Sequence, residues 1–88
     1  MWTIKFKEDC QKEFNKLDYV VQQRIIRYLH ERVKPEPKRI GEPLAGDMKG
    51  FWRYRVGDYR IIAKLYDGEL MLLAVRVAKR ADVYKKPL

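Results

Sequence analysis

The stretch FWRYRVGDYRIIAKLY, Phe51 to Tyr66, decides how the chain folds. Apolar and polar residues alternate on both sides of Gly57-Asp58, a dipeptide suited to the two-residue turn of a β-hairpin. Such a turn sets Val56 opposite Tyr59, Arg55 opposite Arg60, Tyr54 opposite Ile61 and Arg53 opposite Ile62. Side chains alternate between the two faces of a strand, so Trp52, Tyr54, Val56, Ile61, Ala63 and Leu65 share one face and Arg53, Arg55, Arg60 and Lys64 the other. The first face suits packing beneath helices. The second places two arginines directly opposite each other, which costs roughly a few tenths of a kcal/mol in a solvated sheet unless something negative lies between them.

Working outward, Glu69 to Val77 reads as a third strand, joined to the second by another two-residue turn signal at Asp67-Gly68. The three strands then form an antiparallel meander. This simple register puts Arg76 on the apolar face, so either it lies near an edge or a bulge shifts the strand. The tail AKRADVYKKPL has room for about one helical turn before Pro87, with Arg80 and Tyr84 on the same side by i, i+4 spacing.

Toward the N-terminus, KPEPKRIGEPLAGDMKG is punctuated by Pro35, Pro37 and Pro43 and by Gly41, Gly46 and Gly50, which excludes long regular elements and marks an extended connector. Before it, YVVQQRIIRYLHERV carries Val21, Ile25, Leu29 and Val33 at i, i+4 spacing behind Asp18, a candidate cap. Cys10, Phe14 and Leu17 form a second helical stripe beginning at Glu8, and Trp2, Ile4 and Phe6 alternate as a strand. The link at Leu17-Asp18 is short, so the helices form an antiparallel hairpin whose apolar stripes need a sheet to cover. The expected fold class is therefore α+β: an N-terminal strand and helical hairpin packed on an antiparallel sheet of about four strands, with a short helical tail.

The 88 residues leave no room for a second domain, so residues 1–88 are expected to form one. A formal net charge of +8 attracts polyanions such as RNA or DNA, or an acidic protein partner. With Cys10 as the single cysteine no intrachain disulfide can form. A small core without such cross-links suggests a reducing, intracellular setting, the cytoplasm by default. MWTIKFKEDC is too charged for a signal-peptide apolar region, and the longest apolar run, Leu70 to Val75, is far short of a membrane span. The one histidine, His30, lies beside a helical apolar stripe with no cysteine or carboxylate constellation, so no metal site or cofactor is expected. Guanidinium forks match phosphate oxygens, which makes the arginine face of the hairpin a candidate phosphate platform.

LAGDMKGFWRYRVGDYRIIAKLYDGELMLLAVRVAKRADVYKK, Leu44 to Lys86, resembles the second half of the RelE/ParE toxin superfamily. There a leucine-glycine loop precedes a basic strand, a VGDYRI-like hairpin and a terminal KR…VY motif. The opening strand, the helix hairpin and the length agree, so the resemblance covers essentially the whole chain. RelE-type members of the superfamily are messenger-RNA endonucleases of the ribosomal A site, whereas ParE-type members inhibit DNA gyrase and lack the RNase residues. By this resemblance the catalytic set falls on Arg53 and Arg55 in the first strand of the meander, Arg60 in the second, Arg80 after the last and Tyr84 in the tail. Lysines occupy the first two positions in the best-known pattern. An arginine does not give up its proton near neutrality, so the identity of the general base stays open.

The reaction so implied is attack of the 2′-hydroxyl on the adjacent phosphate, leaving a 2′,3′-cyclic phosphate and a 5′-hydroxyl, with no metal called for. Arg60 and Arg80 would grip the phosphate, Arg53 and Arg55 would favour ionisation of the 2′-hydroxyl, and Tyr84 would stack on a base or assist proton transfer. The resemblance also implies a cognate antitoxin, acidic and partly disordered, with operator DNA reached only through the antitoxin complex, and ribosome and messenger RNA as further partners. A ParE-like gyrase inhibitor and a non-catalytic RNA-binding module are the alternatives.

Overall fold

The alternating stretch forms the centre of the sheet in the computed structural model, which describes residues 1–88. Strands β3 (Phe51–Val56) and β4 (Tyr59–Tyr66) pair antiparallel with Arg55 opposite Arg60 and Arg53 opposite Ile62, the register that the Gly57-Asp58 turn predicts. Gly57 takes φ 58°, a conformation that glycine adopts without a Cβ penalty. Strand β5 (Met71–Lys79) pairs antiparallel with β4 on the other side, and the N-terminal strand β1 (Thr3–Phe6) pairs parallel with β5, Ile4 opposite Leu72. A two-residue strand, β2 (Glu42–Pro43), adds to the free edge of β3. The sheet therefore has five strands, in the order β1-β5-β4-β3-β2, rather than about four.

Helices α1 (Glu8–Asn15) and α2 (Tyr19–Tyr28) form the expected hairpin. Cys10 and Phe14 of α1 are buried, and the Phe14 ring meets Phe6 edge-on at 5.2 Å. Burial pushes the Cys10 thiol up to about 12, which leaves it a small, unreactive core residue. Ile25 of α2 is fully buried, and the helix continues through a π-helical turn over Leu29–Val33, closed by the Lys34 N–H donating to the Leu29 carbonyl at 2.7 Å. That wide turn keeps Leu29 and Val33 in the core just before Pro35 stops the helix. Asp18 holds the N-cap position, but its side chain makes no capping bond and stays in water. The Gln22 side-chain amide instead donates to the Phe14 carbonyl at 3.0 Å, closing the end of α1.

Both helices pack on the sheet face formed by Tyr54, Val56, Ile61, Ala63, Leu72, Ala74 and Val77, with Trp52 and Leu65 at its margin. The connector is more structured than its prolines suggest, holding a one-turn helix α3 (Pro37–Ile40), β2 and a 3₁₀ turn at Gly46–Met48. It is pinned by Tyr54, whose buried hydroxyl donates to the Pro37 carbonyl at 2.9 Å. A Cβ on Gly41 would lie 2.6–2.9 Å from Cε1, Cζ and Oη of that ring. Gly41→Ala is therefore expected to cost about 1 to 3 kcal/mol through overpacking. In a domain of this size that lowers the melting temperature by roughly 4 to 8 °C per kcal/mol. An unchanged thermal melt would show that the ring can yield.

Two departures from the simple meander lie in β5 and the loop before it. Tyr66 faces Met71, so the β4–β5 connection is the four-residue loop Asp67–Leu70, with a 3₁₀ turn and Leu70 at φ 47°, not a two-residue turn at Asp67-Gly68. Ala63 faces Ala74 while Ile62 faces Arg76, which leaves Val75 as an extra residue in β5, a β-bulge. Two added loop residues preserve side-chain parity, whereas the single bulged residue reverses it. Leu72, Ala74 and Val77 consequently point into the core and Arg76 comes out on the arginine face, sparing the helix-facing core a charge.

That face is not fully open. The tail forms a single turn rather than a helix, with the Asp82 and Val83 N–H groups donating to the Lys79 carbonyl at 2.8 and 3.0 Å. Ile62, between Arg53 and Arg76, is fully buried, and so is Val83; the tail, bonded to both arginines, covers it.

Candidate functional site

The arginine face and the tail enclose a recess of about 350 Å³ lined by Arg53, Arg55, Arg60, Arg80 and Tyr84. All five residues singled out from the sequence thus meet in one place. Arg53 and Arg55 reach it from β3 and Arg60 from β4, because their odd-even parity points away from the helices. Arg80 follows β5, where its backbone N–H donates to the Asp58 carbonyl of the β3–β4 turn at 2.8 Å. Tyr84 comes from the tail.

The guanidinium groups differ in how they are held. Arg53 donates from Nη1 to the Tyr84 hydroxyl at 3.3 Å and from Nη2 to Glu42 at 3.2 Å. The Tyr84 contact holds the Arg53 guanidinium above its usual range, against the opposing pull of burial, and Glu42 adds to it. Arg53 is thus a fixed cation and no proton acceptor. Its Nε is shut off from solvent with no partner, a kind of local dissatisfaction that native structures confine to few places. Arg60 curls its Nη1 onto the Gly57 and Tyr59 carbonyls, both at 2.9 Å, leaving Nε and Nη2 unpaired. The Arg80 guanidinium makes no hydrogen bond and no ion pair.

Sequence reasoning missed Glu42. Its carboxylate spans Arg53 Nη2 at 3.2 Å and Arg55 Nε at 3.0 Å, and it is half-exposed. It supplies a counter-charge to Arg53 and to one member of the opposed pair, Arg55, while Arg60 has no acidic partner. Four guanidinium groups against one carboxylate still leave the site with a charge of +3, an anion site with a proton acceptor beside it. Glu42 is there because β2 pairs with β3, Glu42 opposite Arg53. The remaining two named residues behave as expected of packing and surface: Trp52 belongs to the core margin and His30 is exposed.

The chain is thus a five-stranded α+β domain with a one-sided arginine site. A family model described as the ParE toxin of a type II toxin-antitoxin system, parDE, matches residues 1–84. The chain belongs to this RelE/ParE family and is a toxin of a type II toxin-antitoxin system. It is similar to toxin RelG of Mycobacterium tuberculosis, 26% identical over 85 residues that make up 97% of this chain and 98% of that protein. A RelE-like toxin protein of Escherichia coli is 31% identical over 87 residues, covering 94% of this chain and 90% of its own. The toxin-antitoxin complex RelBE2 of M. tuberculosis contains a chain of the same fold, with a TM-score of 0.85 at 24% identity over 90% of this chain and 98% of that one. No helix is long and apolar enough to cross a membrane.

Proposed function

We propose that this toxin is an endoribonuclease that cuts messenger RNA in the ribosomal A site. The observation that carries the reading is the convergence of four arginines and Tyr84 on one recess with the Glu42 carboxylate beside it. RNA brings its own nucleophile. The 2′-oxygen forms a bond to the adjacent phosphorus, the bond from phosphorus to the 5′-oxygen breaks as that oxygen takes a proton from water, and the products are a 2′,3′-cyclic phosphate and a 5′-hydroxyl end. Glu42 takes the proton of the 2′-hydroxyl, because its carboxylate is the one acidic side chain touching the cluster. Arg60 and Arg80, whose guanidinium groups keep free donors, hold the phosphate and stabilise the added charge of the pentacoordinate transition state. Arg53 and Arg55 hold Glu42 in place and lower the cost of the developing 2′-oxyanion. Tyr84 offers a ring for a base to stack on.

The partner that restrains it is an antitoxin of acidic, partly disordered chemistry, matched to the charge of +8, and operator DNA is reached through that complex. The working compartment is the cytoplasm, where messenger and ribosomes are. The family model's description as a ParE toxin keeps gyrase inhibition as the second reading.

A small recess of arginines does not by itself hold a flexible strand for in-line attack, so the ribosome is expected to supply that geometry. Mapping of RNA 5′ ends in a translation extract should show cuts in translated messenger and few in the same RNA free of ribosomes. Equal cutting of both would remove the ribosome from the account. Inhibited DNA supercoiling with intact RNA would favour the gyrase reading.

A further inference from the structure

Beyond the buried Val83 the tail has little to hold it against the sheet. Its one backbone bond there is local, Lys85 N–H to the Asp82 carbonyl at 3.1 Å, and the Lys85–Asp82 ion pair lies in the same turn. Two arginines tie it down: Arg53, through the Tyr84 hydroxyl, and Arg76. Arg76 donates from Nη1 to the carbonyls of Val83, at 3.0 Å, and Lys86, and from Nη2 to that of Pro87 at 2.9 Å. Its Nε is 4.0 Å from Glu13 Oε2, and the other oxygen of Glu13 accepts the Val77 N–H at 3.1 Å. The side chain is only 12% exposed. The fork thus bridges α1 and β5 to the tail, with its first acceptor one residue before Tyr84.

We propose that Arg76, which no part of the cleavage chemistry uses, is a positioning residue: by clamping the carbonyls of Val83, Lys86 and Pro87 it holds Tyr84 over Arg53 and keeps the recess closed on that side. The proposal rests on the cleavage reading for its catalytic consequence but not for the clamp itself. A planar five-donor fork suits this set of acceptors, and a lysine ammonium, a point charge on a flexible stem, does not replace it. The β5 bulge is what delivers Arg76 to this face.

Arg76→Gln is the test, beside a chain ending at Lys85, which lacks the last two acceptors and alters no residue of the sheet. Amide hydrogen exchange at Val83 and Lys85 should speed up by about tenfold or more in both, with the amides of β3 and β4 unchanged. Adding Tyr84→Ala, which removes the ring, should lower single-turnover cleavage in the parent and change little in either clamp variant, because Tyr84 is already displaced. Arg76→Lys should not restore the parental exchange rates. Unchanged tail exchange in a folded Arg76→Gln protein, or a Tyr84→Ala loss of equal size in all backgrounds, overturns the proposal. If Arg76→Gln fails to fold, the shortened chain decides. If the parent cuts no RNA, the cleavage reading fails separately and exchange alone judges the clamp.

Discussion

Glu42→Gln is expected to slow cleavage by about 10² to 10⁴, the range associated with loss of a positioned general base. The substitution keeps the size of the side chain and an oxygen for Arg53, and removes the charge and the proton acceptor. Affinity should move the other way. Removing a negative charge from a site of net +3 favours phosphate, so an RNA made uncleavable by a 2′-deoxy nucleotide should bind as tightly or more tightly. A variant that cleaves at the parental rate would reduce Glu42 to a counter-ion for Arg53 and Arg55.

Arg60→Ala is expected to reduce cleavage by about 10² to 10³, roughly 3 to 4 kcal/mol of transition-state stabilisation, while the fold survives. Arg60 faces Arg55 across the hairpin, so its removal relieves a like-charge pair and empties no core volume. What it loses is its contact with the Gly57 and Tyr59 carbonyls, at a turn that water can reach. Stability should stay within about 0.5 kcal/mol of the parent. Arg80→Ala should behave alike, and if both hold one phosphate the double variant should cost less than the sum. Single-turnover cleavage beside thermal melting separates these outcomes, and a loss of activity that tracks unfolding would count against the phosphate platform.

What could be read from the residues was whatever local chemistry decides. Gly57-Asp58 sets the β3–β4 register in two residues, and alternation then sorts arginines from core without knowledge of the rest. The five site residues followed from that parity together with a family pattern. Glu42 could not, because β2 is two residues long and has no periodicity, and its contact with Arg53 spans eleven residues of sequence. Asp67-Gly68 misled for a different reason. The dipeptide favours a tight turn, yet the connection runs through four residues with Leu70 at φ 47°, a lengthening by two that leaves side-chain parity as the tight turn would have set it; the bulge alone expels Arg76 and turns Val77 inward. Arg76 on the apolar face pointed to an edge or a bulge, and a bulge is what forms, but Val75, apolar on either face, did not mark where it falls. The clamp on the tail depends on that bulge and on tail carbonyls that carry no sequence signal.

The most direct test is the chemistry of the cut ends. Ribosomes paused on a messenger with an empty A site, incubated with the protein in a single turnover, should yield an upstream fragment ending in a 2′,3′-cyclic phosphate and a downstream fragment beginning with a 5′-hydroxyl. A 2′-deoxy nucleotide at the cleaved position should abolish the reaction by removing its nucleophile. Intact messenger, or fragments ending in a 3′-hydroxyl and a 5′-phosphate, would contradict the account.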